Sequence, residues 1–129
     1  MTPEQVVQEA LEWAKAGGVR IIRGAVFDFC DYSAYPAVKL TETPACSALG
    51  AVLYKAGYDH LRYPVFKVGW DDTLRGLLGA DRGWVWRFMN GWDRGNCLTF
   101  EVEEKGKTRI IHDDVSRLAD KLARKWTSR

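Results

Sequence analysis

The chain carries almost no excess of charge of either sign: 19 lysines and arginines stand against 17 aspartates and glutamates, a formal net charge of +2. So small a balance lacks the phosphate attraction of a dedicated nucleic-acid binder, so nucleic acid is an unfavoured partner and only local basic patches remain to be considered. Long apolar runs are missing as well. The most apolar stretch, residues 45–54, is far shorter than the roughly 20 residues of a membrane span. The N-terminus has no basic segment leading into an apolar one. These absences predict a cytoplasmic protein with no membrane partner. Cysteine is scarce: Cys30, Cys46 and Cys97 are an odd set without a C-x-x-C pair, which excludes a disulfide framework and a zinc knuckle and leaves reduced thiols. The sequence also lacks a P-loop, a G-x-G-x-x-G turn, an H-E-x-x-H helix and a G-x-S-x-G elbow. No cofactor is expected.

What is present is ordinary for a globular protein. In 129 residues, 47% are hydrophobic and 28% charged, with four scattered prolines. That length suits one domain, residues 1–129, with one core burying about two thirds of the unfolded chain's surface.

Local signals place the elements. Thr2-Pro3-Glu4-Gln5 supplies an N-cap hydroxyl, a proline at the first helical position and a glutamine three residues after the cap, which is a capping box. Val6, Val7, Ala10, Leu11 and Ala14 recur at helical spacing until Gly17-Gly18. Residues 19–30, rich in β-branched and aromatic side chains around Gly24, read as one bent strand or two short ones, followed by a loop over 31–40. Thr43-Pro44 repeats the cap-plus-proline signal and predicts a central apolar helix over 44–56, ended by Gly57. Pro64 argues against a helix in the aromatic segment after it, where 65–68 reads as a short edge strand.

Asp71 or Asp72 is placed to cap a short helix bearing Leu74, Leu77 and Leu78, and Asp81 to cap another. On this second helix Trp84, Val85, Phe88, Met89 and Trp92 share one arc, and Arg82, Gly83, Trp86, Arg87 and Asn90 the opposite one. Residues 98–102 and 108–111 alternate as a hairpin turned at Lys105-Gly106. Asp113 or Asp114 then caps a last helix with Val115, Leu118, Ala119, Leu122 and Trp126 inward. The expected fold is α+β: about five helices around a small antiparallel sheet built on the hairpin, which the early strand can join.

Two constellations bear on chemistry. With Thr43 as cap, Cys46 falls at the third helical position, where backbone N–H groups and the helix dipole favour a thiolate. A nucleophile needs a base, and the chain offers two histidines, His60 and His112. His112, with Asp113 or Asp31 as orienter, is the better placed. Against this, a free cysteine is most often a small buried apolar residue. The second constellation is the polar arc of the 81–92 helix, where Trp86 lies among Arg82, Arg87, Asn90 and Arg94. A tryptophan among arginines is a common interface anchor, and the same set suits an anion held beside an indole. The acidic pairs Asp71-Asp72 and Asp113-Asp114, together with Asp28 and Asp31, are explained by helix capping and loop chemistry without a metal.

Cys46-Ser47-Ala48-Leu49 through Tyr54-Lys55-Ala56-Gly57 resembles the nucleophile helix of the NlpC/P60 cysteine peptidases, which cut bacterial cell-wall peptides. That resemblance covers about a dozen residues, with Ala45 where the family has an aspartate or asparagine and no Gly-His-Val-like step. Over residues 43–80, Cys46-Ser47-Ala48-Leu49-Gly50-Ala51 and the later Gly69-Trp70-Asp71-Asp72-Thr73 resemble a group of short actinobacterial and phage proteins with a Cys-Ala-Leu-Gly-Ala helix and a Trp-Asn-Asp step. Ser47 replaces the alanine and Asp71 the asparagine. This second likeness implies architecture and a phage or bacterial origin, without an activity.

The reading favoured by the sequence is a non-enzymatic interaction protein that presents Arg82, Trp86, Arg87, Asn90 and Arg94 to a protein or a small anionic ligand. The alternative is a hydrolase or transferase with Cys46 as nucleophile, His112 as base and Asp113 as orienter.

Overall fold

The computed structural model describes residues 1–31, 33, 36, 39–58, 67–95 and 99–127. The fold is α+β. Its elements run α1 (Pro3–Ala16), β1 (Arg20–Ile21), β2 (Phe27–Asp31), β3 (Lys39–Cys46), α2 (Ala48–Lys55), α3 (Trp70–Leu78), α4 (Arg82–Arg94), β4 (Thr99–Glu104), β5 (Lys107–His112) and α5 (Asp114–Thr127). The edge strand expected over 65–68, His60, Cys97 and Leu98 lie wholly or in part outside the described residues.

The N-terminal helix starts as its sequence requires. Gln5 N donates to Thr2 Oγ1 at 3.2 Å and Thr2 N donates to Gln5 Oε1 at 2.8 Å, which closes the capping box. Residues 19–30 resolve into two strands, β1 and β2, and both pair with β3 in the order β1-β3-β2. The β1–β3 pairing is parallel and the β2–β3 pairing antiparallel. The hairpin β4–β5 forms a second, separate sheet. The expectation that the early strand joins the hairpin is therefore corrected: its partner is a segment in which the sequence signalled loop and helix.

That segment carries the largest correction. Thr43 does not cap α2, because β3 runs on through Cys46. Ser47 caps the helix instead, its hydroxyl accepting the Gly50 N–H at 3.1 Å. Pro44 is tolerated in the strand because it is paired on neither side: the β1 pairing starts at Ala45 and the β2 register jumps from Ala45 to Leu40, so its missing N–H costs no ladder bond. A smaller correction concerns α3, which opens on Gly69 with φ 98° and without a side-chain cap, leaving Asp71 and Asp72 inside its first turn.

One hydrophobic cluster joins all five helices and the three-stranded sheet. Residues Ala48 to Leu53 of α2 are all buried, which makes this helix central. The pairs α1–α2 and α4–α5 pack together, and α3 touches α1, α2 and α4. On α4, Trp84, Phe88 and Trp92 form a stacked aromatic column, with centroids 5.0 and 6.1 Å apart. The column ends on β1's flank, where the Trp92 indole N–H donates to Ile22 O at 2.9 Å. Both strands of the hairpin are exposed along their whole length. Among the described residues, no helix is long and apolar enough to cross a membrane.

Candidate functional site

Cys46 occupies the last position of β3, paired with Ile21 on one side and Phe27 on the other. Its side chain is fully enclosed, at 0% exposure, and burial pushes the thiol up to about 12. It lies before the Ser47 cap of α2, not at the third helical position expected from Thr43. His112 stands at the exposed end of β5, opposite Thr99, in the other sheet.

Asp113 is committed elsewhere. Its Oδ2 accepts the Ser116 N–H at 2.7 Å, which caps α5, and its Oδ1 accepts from Arg87 Nη1 at 2.7 Å. Burial alone would raise this carboxyl, but the Ser116 N–H and the Arg87 guanidinium outweigh it and hold it below its ordinary range. Asp31 accepts the Ser33 N–H at 2.9 Å, which lowers its own carboxyl. The structure therefore supplies a use for each carboxylate in the thiol reading without bringing it to Cys46.

The polar arc of α4 is divided by its contacts. Asp81 caps the helix, accepting the Trp84 N–H at 2.7 Å. Arg82 reaches Asp72 at 3.7 Å. Arg87, half-buried, spans from Gly83 O to Asp113 and so fastens α4 to the start of α5. These two guanidiniums have structural partners. The Trp86 indole is 56% exposed, turned outward as the helical wheel required, and has no side-chain partner among the described residues. Asn90 Nδ2 donates to Trp86 O at 2.9 Å, which keeps the amide beside the indole.

A groove of about 310 Å³ opens next to Trp86, lined also by Met89, Asn90, Asp93 and Arg94. Positions 86, 89, 90, 93 and 94 follow the i, i+3, i+4, i+7, i+8 spacing of one helix face. Asp93 was not singled out from the sequence, and Met89, placed there on the inward arc, is partly buried and also lines this groove; the spacing contains the signal for both. Asp93 is half-buried, accepts the Gly24 N–H at 3.4 Å, and has its carboxyl raised by burial against the opposing pull of that N–H, Arg94 and Arg23. Arg94 is exposed and makes no ion pair within 4.0 Å among the described residues. Among these residues no three histidines, cysteines or carboxylates converge as a metal site would require.

No protein-family model, curated protein or solved structure matches the chain.

Proposed function

We propose that the chain is an interaction protein, not an enzyme, and that the outer face of α4 docks another protein with Trp86 as anchor and Arg94 as the charged contact. The observation that carries this reading is an indole 56% exposed at the wall of a groove that Arg94 also lines, a guanidinium with no ion pair within 4.0 Å among the described residues. Tryptophan and arginine are the residues most often dominant in interfaces. The matching surface is an apolar side chain next to a carboxylate. A small anion is the weaker candidate, because Asp93 lines the same groove and Arg82 and Arg87 are already paired. The burial of Cys46 gives the thiol reading no support.

The test compares the proteins captured by the wild-type chain with those captured by Trp86→Ala and Arg94→Glu, each checked for folding by circular dichroism. Removing the anchor should weaken capture of the dominant partner by roughly 2 kcal/mol or about thirtyfold, and charge reversal at Arg94 should slow its association. A folded Trp86→Ala protein that retains the whole partner set refutes the reading. Binding of a nucleotide or inorganic phosphate, with no protein captured, would refute it as well.

A further inference from the structure

A second surface, away from Trp86, lies along β1. This strand is the edge of its sheet, and among the described residues no strand pairs with its outer side. Ile22 N donates to Cys46 O at 2.9 Å, and Ile21 is the residue paired with Cys46 in the parallel register. Peptide groups alternate sides along a strand, so the N–H and C=O of Ile21 point away from β3. A groove of about 630 Å³ runs along residues 18–23, with Lys15 and Trp126 on its other wall. Its charged side chains are Lys15, Arg20 and Arg23, and no carboxylate lines it among the described residues. Arg23 pairs with Asp120 at 2.9 Å, a carboxylate that Arg124 shares at 3.0 Å; Lys15 and Arg20 are exposed. The Trp126 indole N–H is buried without a hydrogen-bond partner among these residues. The groove thus offers strand-edge hydrogen bonds and positive charge.

The same chain displays the complement. In the hairpin every residue of both strands is exposed, and this includes Phe100 at 46% and Ile110 at 60%. Its charges are sorted by strand: β4 carries Glu101, Glu103 and Glu104, while β5 carries Lys107 and Arg109. Only the β4 edge is acidic. Its apolar residues, Phe100 and Val102, alternate with Glu101 and Glu103, as the exposed Arg20 is followed by the buried Ile21 on β1. A strand laid along β1 therefore sets its glutamates on the arginine face and its apolar side chains on the isoleucine face. β1 is two residues long, so it takes the central part of the six-residue β4.

We propose that the protein self-associates through this pair of surfaces, the β4 edge of one copy's hairpin docking along β1 of a second copy and adding a fourth strand to its sheet. Reciprocal exchange of hairpins closes the assembly as a two-fold dimer. The pairing satisfies the outward groups of Ile21, covers the exposed apolar residues of β4 and places its glutamates beside Lys15 and Arg20. Pairing of like edges, β4 on β4 or β5 on β5, would set like charges opposite each other.

The experiment is sedimentation equilibrium of the full chain, with amide hydrogen exchange read at Ile21. The wild type should dimerise as concentration rises, with Ile21 protected in step. Two charge reversals on exposed residues, Lys15→Glu with Arg20→Glu and Glu101→Lys with Glu103→Lys, should each weaken dimerisation by roughly tenfold or more. Mixed together, these two variants should recover a dimer, since each arm then meets a groove of opposite charge. Reversal on β5, Lys107→Glu with Arg109→Glu, should not weaken it. A protein that stays monomeric at millimolar concentration overturns the proposal, as does an association indifferent to the groove and β4 reversals or one abolished only by the β5 reversal. None of these variants touches the Trp86 groove, so the two surfaces stand or fall separately.

Discussion

Asp113 satisfies two donors on different helices at once, the Ser116 N–H within α5 and the Arg87 guanidinium from α4, and this explains why an arginine that looked available for a ligand is spent on packing. Arg94 lies near the C-terminus of the same helix and makes no ion pair within 4.0 Å among the described residues. The same attention to surroundings decides Cys46. A thiol with no exposed surface, its ionisation pushed up to about 12, is almost entirely protonated at neutral pH, and only the thiolate attacks an alkylating agent. In the native protein at neutral pH, iodoacetamide should label Cys46 no faster than global unfolding allows, and labelling should become complete in urea. Peptide mapping by mass spectrometry reads both. Rapid native labelling of Cys46, ahead of Cys30, would reinstate it as a nucleophile.

At the scale of elements, the contact between α4 and α5 turns on Gly91. A Cβ at this position would overlap the Ser116 carbonyl, whereas one on Gly76 of α3 meets nothing within 4 Å. Both glycines sit inside helices, where alanine is intrinsically better by roughly 1 kcal/mol. Gly91→Ala should nevertheless destabilise the protein by about 1–3 kcal/mol, since two backbones must part to admit the methyl group, while Gly76→Ala should stabilise it by up to about 1 kcal/mol. Urea titration of the two variants checks the opposite signs. Elements with a short-range cause were legible in the sequence: the capping box of α1, the Asp81 and Asp113 caps, and the Lys105-Gly106 turn, whose φ values of 52° and 74° fit a two-residue hairpin. The β3–α2 boundary was not. Thr43-Pro44 and Ser47 are both sound helix starts on local grounds, and the choice between them is made by pairing with β1 and β2, a non-local interaction that a cap signal does not contain. The outward turn of Trp86 was legible from helical period alone. The fate of Arg82 and Arg87 was not, because their partners Asp72 and Asp113 come from other helices.

The whole molecule is a helical body with a three-stranded sheet and one projecting arm. The body's core cluster includes residues from all five helices and from β1, β2 and β3, but none from β4 or β5. The arm is held by its own ladder, which begins at Thr99 opposite His112, so its base already brings the chain ends within one strand spacing. Cutting it away should cost the body little. Replacing residues 100–111 with two glycines shortens a loop whose closure entropy varies only slowly with length, and it removes no side chain from the core. The shortened protein should therefore unfold cooperatively in urea, with a free energy within about 1 kcal/mol of that of the monomeric wild type. A larger loss, or a broadened transition, would mean that the hairpin supports the body, and the exposure of its strands would then need another explanation.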